Sequence, residues 1–179
     1  AQVKFKTRID PRNEVTVLAL AGFDDMKLNK DPDDKSDEYL LSYLPVLKQE
    51  TFTVGVSYRH FTDRHVQTYS LSYNYLNNRS VKYLDNDDTA AGNLIQKGSA
   101  LDGKAQMRFE NRSYYGPWTV REGGLVNWRH YDGNVFRKLP RDIVSDYQTR
   151  TGFLCWGAYA SADYKSPQGK VNASFGIRT

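Results

Sequence analysis

The sequence predicts an all-β protein, an antiparallel up-and-down meander of about eight strands, and three observations carry that prediction. Apolar and polar residues alternate with period two through most of the chain, as in Tyr69, Leu71, Tyr73 and Tyr75 against Thr68, Ser70, Ser72 and Asn74. Tight-turn signatures recur at Asp10-Pro11-Arg12-Asn13, Thr62-Asp63-Arg64-His65, Tyr115-Gly116-Pro117 and Ser166-Pro167-Gln168-Gly169. One long polar stretch separates each signature from the next, so short and long connections alternate.

The first hairpin is predicted over 2–29, with Val15, Val17, Ala19, Ala21 and Phe23 along one face of its second strand. The second covers 46–85. There Phe52, Val54, Val56 and Tyr58 alternate with Thr51, Thr53, Gly55, Ser57 and Arg59, and the segment from 66 stays extended for much longer than a minimal strand. The third covers 104–131. One face of 104–114 carries Gln106, Arg108, Glu110 and Arg112 and needs water or ion pairs, and Gly123-Gly124 marks a bulge or a close backbone approach. The fourth covers 150–179 and closes on Val171, Ala173, Phe175 and Ile177. Long loops are expected at 30–45, 86–103 and 132–149. Short turns on one side and long loops on the other, with strands longer than a bilayer requires, predict a section of transmembrane β-barrel.

Composition agrees. The 179 residues are 39% hydrophobic, yet 13% are aromatic, and the mean hydropathy is −0.70. Disordered chains are poor in aromatics; a barrel wall turns only every second residue to lipid. No run of 18 apolar residues offers a transmembrane helix. The net charge of +4 is spread without a dense basic cluster, so no nucleic-acid partner is predicted. The lipid-facing candidates are Phe52, Val54, Val56, Tyr58, Tyr69, Leu71, Tyr73, Tyr75, Val171, Ala173, Phe175 and Ile177. Phe61, Tyr114, Tyr115 and Trp118 flank tight turns and are candidates for an interfacial aromatic girdle.

No catalytic constellation emerges, and neither cofactor nor metal site is predicted. His60, His65 and His130 are the only histidines and Cys155 the only cysteine, too few for a zinc centre. Cys155, between Leu154 and Trp156, reads as a packed strand position. The acidic runs from Asp31 to Glu38 and from Asp85 to Asp88 lack the glycine and glutamate spacing of a calcium loop and read as solvated loop. Glu110 and Glu122 are expected in cross-strand ion pairs with Arg108, Arg112 or Arg121.

The segments Ile9–Leu18 leading to Gly22-Phe23-Asp24-Asp25, Glu38–Val46 and Tyr69–Asn78, and the ending Ala173–Thr179, carry a resemblance. The chain resembles an internal stretch of the barrel of a TonB-dependent outer-membrane receptor, of the kind abundant in Bacteroidetes. The resemblance implies a larger barrel closed by a plug that is not present in these residues, in the outer membrane of a Gram-negative bacterium. It implies uptake of a scarce nutrient (a siderophore, haem, cobalamin or glycan). Its implied partners are outer-membrane lipid, the rest of the barrel and plug, TonB acting through the plug, and a surface lipoprotein. It implies no enzyme activity. The alternative is a self-contained eight-stranded barrel, in the outer membrane or as a soluble ligand binder.

Overall fold

The computed structural model describes residues 1–28, 34–139 and 143–179. Eight strands form one antiparallel sheet in sequence order, a meander with no crossover. They are β1 (Gln2–Asp10), β2 (Asn13–Met26), β3 (Val46–Phe61), β4 (His65–Tyr83), β5 (Leu94–Tyr115), β6 (Trp118–Leu139), β7 (Ile143–Lys165) and β8 (Asn172–Arg178). The fold class predicted from alternation is the observed one.

Each tight turn has a local cause. Asp10 accepts bonds from the Arg12 amide at 2.8 Å and the Asn13 side chain at 2.7 Å, an Asx-type closure. Thr62 and His65 close the second turn through the Thr62 amide and hydroxyl. Gly116 and Gly169 supply the left-handed residues of the third and fourth, with φ of 57° and 69°. The turns also step along the sheet. Asn13, next to the first turn, lies level with His60, whereas Phe61 still pairs with Val66 before the second turn. Tyr115 and Trp118 close the third turn two rows beyond the pairing of His65 with Ser113. A steady stagger of this kind accompanies strands tilted around a barrel axis.

The strands run further toward the long-loop side than the sequence reading gave them. Residues 94–103, expected in a loop, belong to β5, and from Gln96 onward they pair with both β4 and β6. The expected loop 132–149 is mostly β6 and β7, which continue to Leu139 and from Ile143. These segments lack an apolar face, so alternation does not reveal them. Cross-strand polar contacts hold them instead: Asp132 receives Arg150 at 2.7 Å and Gln148 at 3.1 Å. Inside the expected loop 30–45 lies a helix, α1 (Lys35–Tyr43). Asp34 caps it, accepting from the amides of Ser36 at 2.7 Å and Asp37 at 2.9 Å, and Tyr39 stacks edge-on with Tyr43 one turn later, at 4.9 Å between ring centres. Of the first acidic run, Asp31 and Asp33 lie outside the described residues.

There is no hydrophobic core: among the described residues no apolar side chain is buried. The accessible surface is 13030 Å², whereas a compact monomer of this mass exposes about 8,900 Å². The sheet edges at β1 and β8 do not pair with each other, so the molecule is an open arc and not a closed eight-stranded ring.

Two faces of the sheet as candidate functional surfaces

Register turns the alternation of single strands into continuous surfaces. One row runs Phe5, Val17, Val56, Leu71, Met107, Val126, Trp156. Its neighbour runs Val3, Ala19, Val54, Tyr73, Ala105, Trp128, Leu154. All lie on one face, and most are exposed, 57% at Leu71, 62% at Met107 and 70% at Trp156.

Two polar rows bound this apolar belt on the same face. On the short-turn side the row is Asn13, His60, Gln67, Asn111, Glu122. On the long-loop side it contains Glu50, Asn77, Asp132 and Arg150. Glu50 and His60, Gln67 and Asn77, and Glu122 and Asp132 each stand ten residues apart. Between the two rows the face carries no Asp, Glu, Lys or Arg from β1 to β7. Ten residues at about 3.3 Å each, tilted by roughly 40°, give a belt about 25 Å tall, the apolar height of an outer-membrane barrel. The short-turn row is itself bonded: Asn13 Oδ1 accepts from the Tyr58 hydroxyl at 2.6 Å and contacts His60 Nδ1 at 2.8 Å, and Asn111 donates to Glu122 at 2.9 Å. Trp118 and Tyr164, in ring contact at 4.9 Å, lie beyond that row, and Trp128 stands inside the opposite border.

The predicted lipid-facing residues of β3 and β4 share this face, together with Ala173, Phe175 and Ile177 of β8. Val171 lies in the turn before β8. The girdle candidates divide. Tyr115 and Trp118 point to the apolar face, whereas Phe61, level with Val66 and Arg112, and Tyr114, level with Thr119, belong to the other face. Proximity to a turn says nothing about parity, and one residue of offset reverses the face.

The second face is polar and charged. Glu14, with 4% of its side chain exposed, sits among Lys6 at 3.0 Å, Arg59 at 3.6 Å and Arg8 at 3.9 Å. Elsewhere on this face Glu110 pairs with Arg108 at 2.7 Å and Arg112 at 3.4 Å and accepts the Tyr159 hydroxyl at 2.5 Å; both arginines lie two residues away on the same strand, not across the hairpin as expected, and Glu122 accepts from Asn111. Arg121 turns instead to Asp163 at 2.7 Å, and Ser174 donates to that same carboxylate. Glu110 and Glu122 are on opposite faces because Glu110 pairs with Gly123, so they form no carboxylate pair. Gly123 makes the close approach: a Cβ there would meet the Phe109 carbonyl at 2.5 Å and the Tyr159 hydroxyl oxygen at 2.8 Å. An open depression of about 500 Å³ lies beside Arg108, Glu110, Arg121, Tyr159 and Arg178. Cys155, read as a packed strand position, is exposed and lies on this polar face opposite Asn127.

At the long-loop end the Lys82 side chain is nearly buried, at 6% exposure. Its ammonium donates to the Leu41 carbonyl of α1 at 2.8 Å and to Asn86 Oδ1, and Asn86 Nδ2 reaches the same carbonyl at 3.2 Å. Burial pushes the Lys82 amine below the ordinary lysine range, against a smaller upward pull from Asp85. Asp85 and Asn86 hold φ of 51° and 56°, the only non-glycine residues in the left-handed region among those described. Asp87 in the second acidic run is spent on the Thr89 amide and hydroxyl and on Asn93. Among the described residues no three His, Cys, Asp or Glu side chains gather as metal ligands.

Comparison with solved structures places this geometry. The chain is similar to BauA, the ferric preacinetobactin receptor from Acinetobacter baumannii, with a TM-score of 0.63 at 9% identity. The match covers 99% of this chain and 32% of that receptor, so the chain spans about a third of the length of the protein it resembles. No family model matches the sequence, and no curated protein does. The likeness is one of fold: an all-β antiparallel meander of the barrel type.

Proposed function

We propose that this chain is an internal section of the barrel wall of a TonB-dependent receptor that takes up a scarce nutrient across the outer membrane of a Gram-negative bacterium. The observation that carries the reading is the uncharged belt, about 25 Å tall, bounded by polar rows on an otherwise coreless sheet. Such a face finds its apolar surroundings in lipid, and the open edges at β1 and β8 pair with further strands of the same barrel. The likeness to a siderophore receptor favours a metal chelate as cargo within the wider set of siderophore, haem, cobalamin or glycan. The remaining barrel, a plug, TonB acting through that plug, and a surface lipoprotein are the partners this reading calls for. The role is passage and binding, with no chemical step.

The test is the intact mass of the natural gene product in outer-membrane preparations, followed by growth on single nutrient sources after deletion. A mass several times 20.6 kDa with a nutrient-specific growth defect is the expected result. A membrane species near 20.6 kDa with heat-modifiable migration refutes it in favour of a small closed barrel.

A further inference from the structure

The short-turn border of the apolar face carries one carboxylate without a counter-charge. Register sets Glu122 level with Asn111 on β5 and Ala160 on β7, on the same face as the belt. The residue is exposed. Among the described residues its carboxylate accepts from Asn111 at 2.9 Å, and no lysine or arginine pairs with it. Arg121 and Arg112, next to it in sequence and across the hairpin, project from the other face and are held by Asp163 and Glu110. The histidines of this border face other groups: His60 contacts Asn13, and His65 contacts Ser113. Trp118, level with Tyr164, stands four residues closer to the turn on the apolar face. Glu122 therefore lies on the belt side of an aromatic pair, where an ionised group is costly unless something partners it.

The surroundings leave room for a partner. Three successive positions of β7 on this face are alanine, Ala158, Ala160 and Ala162, between Trp156 and Tyr164. Gly124 of β6 lies level with Ala158, so low side chains make a shallow recess beside the carboxylate.

We propose that Glu122 and this alanine recess hold the headgroup of a phospholipid that carries a primary ammonium, with its acyl chains running past Trp156 toward mid-belt. The inference rests on the barrel-wall reading, which turns this face to lipid and the short turns to the periplasm. Charge selects the class, because an anionic headgroup is repelled here. Hydrogen bonding narrows it. Charge-assisted bonds are the strong ones, and a primary ammonium brings three N–H donors, whereas a trimethylated one brings none. The positions around Glu122 select lipid over protein. Val120, Ala160 and Ile177 are apolar, so the site asks for one ionic contact bordered by hydrocarbon, whereas a protein interface has a polar rim.

The experiment uses the full-length gene product with a photoreactive benzoylphenylalanine at Phe175, level with Ala162, or at Leu71 in mid-belt. It is reconstituted in vesicles of equal parts phosphatidylethanolamine, phosphatidylcholine and phosphatidylglycerol with the same acyl chains, and adducts are identified by mass spectrometry. From Phe175 the expected adduct is phosphatidylethanolamine, about tenfold over either other lipid, the lower end of what a hydrogen bond to a charged group contributes. Glu122→Gln brings the three lipids to parity, and Glu122→Lys turns the preference to phosphatidylglycerol. From Leu71 the three are captured equally. Parity at Phe175, a preference that survives Glu122→Gln, the same preference at Leu71, or a protein adduct at Phe175 overturns the proposal. If Leu71 captures lipid in those cases, the wall reading stands and only the inference falls. A Leu71 probe that captures no lipid refutes both.

Discussion

Removing the Lys82 ammonium should loosen one loop and leave the barrel wall intact. Lys82 is the basic group at the carbonyl end of α1, whose own last turn contains none. In Lys82→Met the Leu41 carbonyl keeps only the Asn86 amide at 3.2 Å. A charge-assisted bond contributes about 1.5–3 kcal/mol, and a cation at a helix C-terminus about 0.3–1 kcal/mol. Relief of burying the amine offsets part of this, leaving a net loss of about 1.5 kcal/mol. That is roughly tenfold in the opening of α1 from the Leu84–Asn86 turn. Hydrogen exchange of the full-length protein in detergent reads it directly: α1 amides exchange about tenfold faster, and β4 and β5 amides do not change. The pH dependence has a definite sign. Because the folded pKa lies below that of the free amine, burial of the charge opposes the latch at neutral pH. That cost is relieved as pH rises through the folded value toward 10.5. A neutral amine still has two N–H groups for its two acceptors. Protection of α1, corrected for intrinsic rates, therefore holds or increases on the alkaline side. Unchanged exchange in Lys82→Met, or loss of protection with rising pH, refutes the reasoning.

The two faces give further expectations. Cys155 reacts with a charged maleimide in the full-length protein, whereas a cysteine at Trp156 in a Cys155→Ser background is shielded by lipid; equal labelling would remove the assignment of faces. Leu71→Arg, near mid-belt, destabilises the reconstituted barrel by about 2–4 kcal/mol in denaturant titration, and Ser72→Arg, on the polar face, costs well under half of that. Gly123→Val pushes the Tyr159 ring away and strips Glu110 of its hydroxyl donor. An overpacking cost of about 1–3 kcal/mol is expected, with the Tyr159 ring resonances shifted; a neutral effect would mean that the ring does not pack there. Asp10 is held below the ordinary carboxylate range by the Asn13 side chain and then by the Arg12 amide. Its contribution to the first turn is thus present above about pH 4 and lost as pH falls through the depressed value, which carboxyl NMR titration beside an Asp10→Ala control reads.

How much of this was legible in the sequence depends on whether a segment has a wet face and a dry one. In 51–59 and 66–76 each strand has one apolar and one polar face, so alternation is strict, and the strands and their apolar residues follow from it. In 94–103 and 132–139 both faces are polar, so the same backbone pairing leaves no periodic trace and the segments resemble loop. The helix α1 left a signal that the alternation template passes over: Asp34 as cap, with Tyr39, Leu40 and Tyr43 at helical spacing. Phe61 and Tyr114 were misplaced because an aromatic at a turn says where a strand ends, and its face depends on a register that only the partner strand supplies.

The site itself is a property of register. Glu50, Asn77 and Asp132 are unrelated positions in the chain, as are His60, Gln67 and Glu122. Only pairing in step makes two borders of them, and a single one-residue slip between β4 and β5 would carry Arg108 and Glu110 into the apolar belt. That slip would place two charges where each costs up to about 2–4 kcal/mol, against little loss in backbone bonding. The uncharged belt and the charged opposite face therefore exclude the same error from opposite sides. With lipid on the apolar face, as proposed, a sheet without a core of its own obtains a unique register from the contrast between the media on its two faces.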